Sequence, residues 1–165
     1  MSFIFKISDF FNSKHNYVEQ FDIKKGQTVI DYGCGPGRYI FKASDKVSTT
    51  GIVYAVDIHE MAMESVRRIM EKQGLINVKP TLANGYSVDI PDHIADLIYA
   101  LDMFHMVSDP GAFLKELHRL LKPEGKLILE SGHQSKKLAR EKIERTGLWQ
   151  ILEENAHFFK CKPIN

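Results

Sequence analysis

The chain has 165 residues, a length that as a rule corresponds to one domain large enough to bury a core without disulfides or a structural metal. Hydrophobic residues make up 44% and charged residues 26%, the ordinary globular balance, which excludes a disordered chain. With 22 Lys and Arg against 21 Asp and Glu the net charge is +1, so no bulk charge draws the chain to nucleic acid or acidic lipid.

Residues 1–25 carry Phe3, Phe5, Phe10, Phe11, Tyr17 and Phe21 and are expected to form one or two short helices over the sheet edge. Lys6 and Asp9 cut short the apolar start, so it does not read as a signal peptide. Apolar, β-branched runs at 28–31, 52–57, 78–82, 96–101 and 126–130 then read as strands. Between them lie stretches with helical spacing. Met61, Ser65, Arg68, Ile69 and Lys72 stripe one, and Phe113, Leu114, Leu117, Leu120 and Leu121 stripe another. The second opens with Asp109 and Pro110, a cap followed by proline at the first helical position, and stops at Lys122-Pro123-Glu124-Gly125. A basic helix with interleaved glutamates is expected at 135–146, then a tight antiparallel hairpin from Trp149 to Cys161. The alternation predicts an α/β, doubly wound, mostly parallel seven-stranded sheet whose last strand is antiparallel. No run approaches ~18 apolar residues. Cys34 and Cys161 are the only cysteines, without a CxxC or HExxH pattern, so a soluble chain in the reducing cytoplasm is expected.

The sharpest feature is Val29-Ile30-Asp31-Tyr32-Gly33-Cys34-Gly35-Pro36-Gly37, a strand entering a glycine-rich turn ahead of a helix, with Pro36 suited to the helix start. Asp57 closes the second strand about 20 residues beyond Gly37, where an acid can bind a ribose diol. The third glycine comes one residue too early for the pyrophosphate fingerprint, and no Gly-Lys-Ser/Thr follows, so a P-loop is excluded. Asp31, two residues before Gly33, repels a pyrophosphate and favours a ligand carrying ammonium or sulfonium charge. S-adenosylmethionine carries both.

The segment Asp31-Tyr32-Gly33-Cys34-Gly35-Pro36-Gly37 resembles the signature loop of class I S-adenosylmethionine-dependent methyltransferases. The similarity continues through Val53–Asp57 to Ile58 and through Leu120–Leu129, so it covers about residues 26–131. The resemblance implies the Rossmann-like methyltransferase fold with S-adenosylmethionine as cofactor. It implies that Asp31 holds the methionine ammonium and that the backbone at Gly33, Cys34, Gly35 and Gly37 lines the methionine moiety. Asp57 would take the ribose hydroxyls and Ile58 would pack on adenine, while the carbonyl of Leu101 would face the ammonium. After the third strand, where the family commonly has Asp, this chain has Asn84 followed by Gly85. Asn84 can accept from the adenine amino group through its carbonyl, or can serve as a turn residue ahead of Gly85.

The loop after strand four, Leu101-Asp102-Met103-Phe104-His105-Met106, is where such enzymes place acceptor contacts. His105 is the candidate general base, since imidazole titrates near neutral pH, with packing as its bland alternative. Asp102 is a second candidate or a helix cap. His133 and Tyr17 are weaker candidates, and His15 reads as surface. Absences narrow the acceptor: no Asn/Asp-Pro-Pro-Tyr follows strand four, no cysteine follows strand four or five, and Glu130-Ser131-Gly132-His133 lacks the Asp-Asn pair of magnesium enzymes. A hard-metal site is therefore not expected. The basic residues Lys136, Lys137, Arg140, Lys142 and Arg145 alternate with Glu141 and Glu144, which reads as a solvated face rather than a nucleic-acid site. The expectation is methyl transfer to a small-molecule acceptor by in-line displacement, with no membrane or nucleic-acid partner. The alternatives are a cofactor-holding module or partner subunit without turnover, and a nicotinamide-dependent oxidoreductase. At this length no inserted substrate domain fits, so the acceptor site must be shallow, capped by the N-terminal segment, or completed by a partner chain such as a second copy.

Overall fold

A computed structural model describes residues 17–165. Phe3, Phe5, Phe10, Phe11 and His15 lie outside the described residues, so the expected helical cover is seen only in its last part, a 3-10 turn at Tyr17–Gln20. The described residues form seven strands: β1 (Thr28–Tyr32), β2 (Ile52–Asp57), β3 (Val78–Leu82), β4 (Ala95–Ala100), β5 (Leu121–Glu130), β6 (Trp149–Glu154) and β7 (Phe158–Pro163). They build one sheet in the order β3-β2-β1-β4-β5-β7-β6. The first five strands are parallel, and β7 is antiparallel to both β5 and β6. The expected doubly wound seven-stranded α/β sheet is therefore present.

Successive residues of each central strand point to opposite faces, and both faces are covered. On one face Val29, Val53, Leu97 and Tyr99 pack with Ile40, Ala43 and Val47 of α1 (Ile40–Val47) and with Ala62, Met63 and Val66 of α2 (Glu60–Gln73). On the other, Ile30, Ile98, Leu127 and Leu129 pack with Phe113, Leu114 and Leu117 of α3 (Pro110–Leu120) and with Ala139 and Ile143 of α4 (Lys136–Glu144). This is why the strands read as nearly unbroken apolar runs.

Three expected details change. Helix α1 begins at Ile40, because residues 36–39 form a turn; Pro36 lies in that turn rather than at a helix start. The buried face of α2 is Ala62, Met63 and Val66, while Met61 and Arg68 point outward. Met61, Ser65, Arg68, Ile69 and Lys72, which the sequence places in this helix, all lie within it, on its more exposed side. Strand β5 starts at Leu121 rather than 126, because Leu121 already pairs with Ala95 before the register shifts ahead of Leu97. The α3 start is as expected: Asp109 Oδ1 accepts from Ala112 N at 2.9 Å, with Pro110 at the first position. The basic residues of α4 are partly paired rather than simply solvated. Arg140 joins Glu144 and Glu154, and Lys136 joins Glu154. Among the described residues no helix is long and apolar enough to cross a membrane.

Candidate functional site

Strand order reverses between β1 and β4, and in open α/β sheets the crevice at the carboxyl ends of the strands beside that reversal receives ligands. The loops after β1 to β5 meet there. Gly33 N and Cys34 N both donate to Val56 O, at 2.8 and 2.9 Å, which folds the glycine loop back over the end of β2. Ser65 Oγ on α2 donates to Pro36 O at 2.8 Å and pins the far side of the loop. Gly37 sits at φ +88, and a Cβ there would stand 2.8 Å from Ile69 Cδ1, so the loop closes onto α2 only with glycine. Gly35 differs: its missing Cβ faces nothing within 4 Å. Its bare backbone borders open space, as close approach of a ligand requires.

Asp57 governs this loop. Its Oδ2 accepts from Gly35 N at 2.9 Å and its Oδ1 from His59 N at 3.0 Å, and each oxygen retains a lone pair for a further donor. Asp31 lies deeper, 2% exposed, and its Oδ2 has no hydrogen-bond partner. Burial pushes its carboxyl up to about 8; the nearby Tyr99 hydroxyl opposes the shift and the Asp57 charge adds to it. Sheet register explains Tyr99: it pairs with Asp31 across β1 and β4. Its hydroxyl is buried without meeting hydrogen-bond geometry to any partner. A buried carboxylate without a full set of partners is what a cationic ligand would satisfy. The Cys34 thiol is pushed well up by burial and is no nucleophile.

Ile58 follows Asp57 and is 56% exposed, leaving an apolar face free beside the loop. Asn84 takes the turn role: its backbone exchanges two hydrogen bonds with Ser87, at 2.9 and 3.1 Å, around Gly85 at φ 62. Its side chain is exposed and remains available. Leu101 is buried at the end of β4. The glycine loop and the loop after β4 touch, since a Cβ on Gly33 would meet Met103 Cγ at 3.1 Å. Two residues on, His105 packs against Gly132 after β5 and edge-to-face on His133, with ring centroids 4.8 Å apart. Asp102 is not a helix cap. It has φ 53, its N–H donates to Glu130 Oε2 at 2.7 Å, and Met103 precedes the 3-10 turn Phe104–Met106. Tyr17 lies off this centre, stacked on Phe158 and His157.

Sequence reasoning did not single out Tyr99 and Glu130. Tyr99 carried a signal, since an in-phase polar group on the strand beside β1 shares Asp31's face. Glu130 carried none, because its contact with Asp102 N depends on the β4–β5 register. A cavity of about 260 Å3 lies at the opposite, amino-terminal ends of the strands, lined by Gln27, Asp96, Lys122 and Lys126 among others. Its polar groups are satisfied internally: Asp96 accepts from Lys122 Nζ at 2.7 Å and from Thr28 N at 2.8 Å.

Comparison with known proteins agrees with this geometry. Residues 23–158 match the family described as "Methyltransferase domain". Among curated relatives, the ubiquinone/menaquinone biosynthesis C-methyltransferase UbiE of Escherichia coli is 33% identical over 108 residues, which is 65% of this chain and 43% of the relative. The chain thus spans less than half the length of the curated relatives it matches. Among solved structures, a SAM-dependent methyltransferase from Aquifex aeolicus superposes with a TM-score of 0.75 at 25% identity, covering 96% of this chain and 92% of that one. Coclaurine N-methyltransferase bound to N-methylheliamine and SAH superposes with a TM-score of 0.62 at 25% identity, over 69% of this chain and 33% of that one. The chain belongs to the methyltransferase-domain family and shares the class I fold of the SAM-dependent methyltransferase from Aquifex aeolicus.

Proposed function

We propose that the chain methylates a small organic acceptor held between the loops after β4 and β5, as one cytoplasmic methyltransferase domain spanning residues 1–165. The observation that carries this reading is the buried, incompletely partnered Asp31 at the end of β1, whose charge feels that of Asp57, together with the open backbone of Gly35 that Asp57 holds. Bound S-adenosylmethionine supplies a methyl group on a sulfonium, ready for in-line displacement. Asp31 holds the ammonium of the cofactor, and the Leu101 carbonyl adds a second acceptor. Asp57 takes the ribose hydroxyls through its remaining lone pairs. The backbone of Gly33, Cys34, Gly35 and Gly37 lines the methionine portion, Ile58 covers adenine, and Asn84 with Gly85 borders its amino group. Fixing both reactants in one crevice supplies most of the rate. His105 takes the acceptor's proton at an imidazole nitrogen.

The exposed Met106 next to His105 gives the acceptor loop an apolar side chain suited to a small, largely apolar acceptor. The UbiE relative, a C-methyltransferase of quinone biosynthesis by its name, supports a small acceptor. Tyr17 packs on Phe158, which pairs with Glu130 at the carboxyl end of β5. The N-terminal segment therefore joins the sheet at the acceptor's edge. That segment, or a second copy of the chain, completes the acceptor site.

Calorimetric titration with S-adenosylhomocysteine and with NADH tests the cofactor, and transfer of labelled methyl to a panel of quinols, phenols and amines tests the acceptor. Homocysteine-adduct binding without NADH binding is expected, with His105→Ala retaining that binding and losing transfer. Binding of NADH alone would overturn the reading.

A further inference from the structure

The ends of β4 and β5 bring Asp102 and His105, three residues apart in the loop after β4, together with His133 from the loop after β5, and all three are metal-ligating side chains. Asp102 Oδ1 lies 3.6 Å from His133 Nε2, and one ligand atom from each of Asp102, His105 and His133 lies within 4.8 Å of the others. We infer that these three residues form a divalent transition-metal site whose open positions take an oxygen of the methyl acceptor. At 3.6 Å the Asp102–His133 contact is too long for a hydrogen bond. It is close to the ~3.4 Å edge of a tetrahedron built on metal–ligand bonds of ~2.0–2.1 Å. His133 is exposed, so rotation of its imidazole closes the remaining gap. Two imidazoles and one carboxylate suit zinc, cobalt, iron(II) or manganese(II), whereas magnesium and calcium take oxygen ligands. The hard-metal site that the sequence argues against is therefore a different one.

The surroundings hold these ligands in place. Asp102 takes a left-handed backbone, φ 53, fixed by its N–H on Glu130 Oε2. A Cβ at residue 132 would stand 2.1 Å from His105 Nδ1, so Gly132 is what lets His105 reach the cluster. His105 Nδ1 is buried and has no hydrogen-bond partner, so the ring carries an unmet polar atom. The outer side, formed by Asp102 and His133, is open to solvent, so an ion and an acceptor oxygen have a path in. Three protein ligands with an open side is the arrangement of a catalytic rather than a structural metal.

A cation here lowers the pKa of a bound acceptor hydroxyl, and the proton leaves to water. Proton acceptance by His105 belongs to the ion-free site, since its lone pair is committed when the ion is bound. The inference rests on the acceptor face of the proposed function but needs neither cofactor nor acceptor to be tested. Cobalt(II) is titrated into the chelator-treated full chain and followed by its visible ligand-field absorption. One equivalent with tetrahedral-type intensity, displaced by zinc(II) and not by magnesium(II), is expected. The exposed position of His133 lets His133→Ala fold, as circular dichroism will verify, and that variant should weaken cobalt affinity by ~10-fold or more. His118→Ala, on α3 outside the cluster, should leave it unchanged. Absence of the absorption bands, or equal affinity in His133→Ala and the parent chain, overturns the site. If S-adenosylhomocysteine still binds in that case, the metal site alone has failed and the methyltransferase reading stands.

Discussion

On the proposed assignment, the buried carboxyl of Asp31 makes cofactor binding a proton-coupled event. Its pKa is pushed to about 8 from an ordinary 3.8, chiefly by burial, so below pH 8 the ligand-free protein holds Asp31 mostly neutral. A cationic ligand requires the ionised form, and binding must release the proton. The ionised fraction rises from ~1% at pH 6 to ~24% at pH 7.5, so affinity should rise ~20-fold over that interval. At pH 7 about 0.9 proton should leave per ligand bound, because about nine in ten molecules start protonated. Stability of the ligand-free protein runs the other way. The native state binds the extra proton, so stability is greatest below the unfolded pKa near 4 and falls as pH rises through about 8. Calorimetry with S-adenosylhomocysteine at pH 6 to 7.5, in two buffers of different ionisation enthalpy, reads both affinity and proton count. Asp31→Asn should bind more weakly, with a flattened pH profile and no proton release. A flat profile in the parent chain, with no proton released, would refute the assignment of Asp31 to the cofactor's cation.

Two further substitutions test the crevice. Asp57→Ala removes the acceptor for Gly35 N and His59 N as well as the ribose partner, and should cost about 1–3 kcal/mol of S-adenosylhomocysteine affinity; unchanged affinity in the same titration would remove Asp57 from the site. Gly37→Ala adds a Cβ at φ +88, 2.8 Å from Ile69 Cδ1 and 3.3 Å from Val66 Cγ2, and should destabilise the fold by about 1–3 kcal/mol. Thermal unfolding at several degrees below the parent chain is expected, and an unshifted melt would show that the loop does not close on α2 as described.

The strands were the most legible part of the chain. The bounds of β2 and β3 match the expected runs, although only β2 is an interior, largely buried strand; β3 is the sheet edge, with Val78 alone buried. Helix α3 was legible from Asp109-Pro110 because cap chemistry is local. The α2 helix was legible from its spacing, but its buried face was not. Met61 and Ile69 are as apolar as Met63 and Val66, and only docking on the sheet shows which stripe is buried. The start of β5 was missed because its first pairing, Leu121 with Ala95, depends on a bulge that no local pattern announces.

The sequence by itself determined the glycine loop, its acid at position 31, the acid closing β2, and the alternation that folds them to one end of a sheet. These are short-range features, set by backbone freedom, capping and strand periodicity. Tertiary structure decided the rest. It set Tyr99 opposite Asp31 and buried both, and burial raises the pKa of the expected anion to about 8. The register of β4 on β5, with Ala100 opposite Leu129, brought Asp102, His105 and His133 into one cluster. Burial and cross-strand register are properties of distant segments brought together, so neither dielectric environment nor ligand convergence is written in any single stretch of chain.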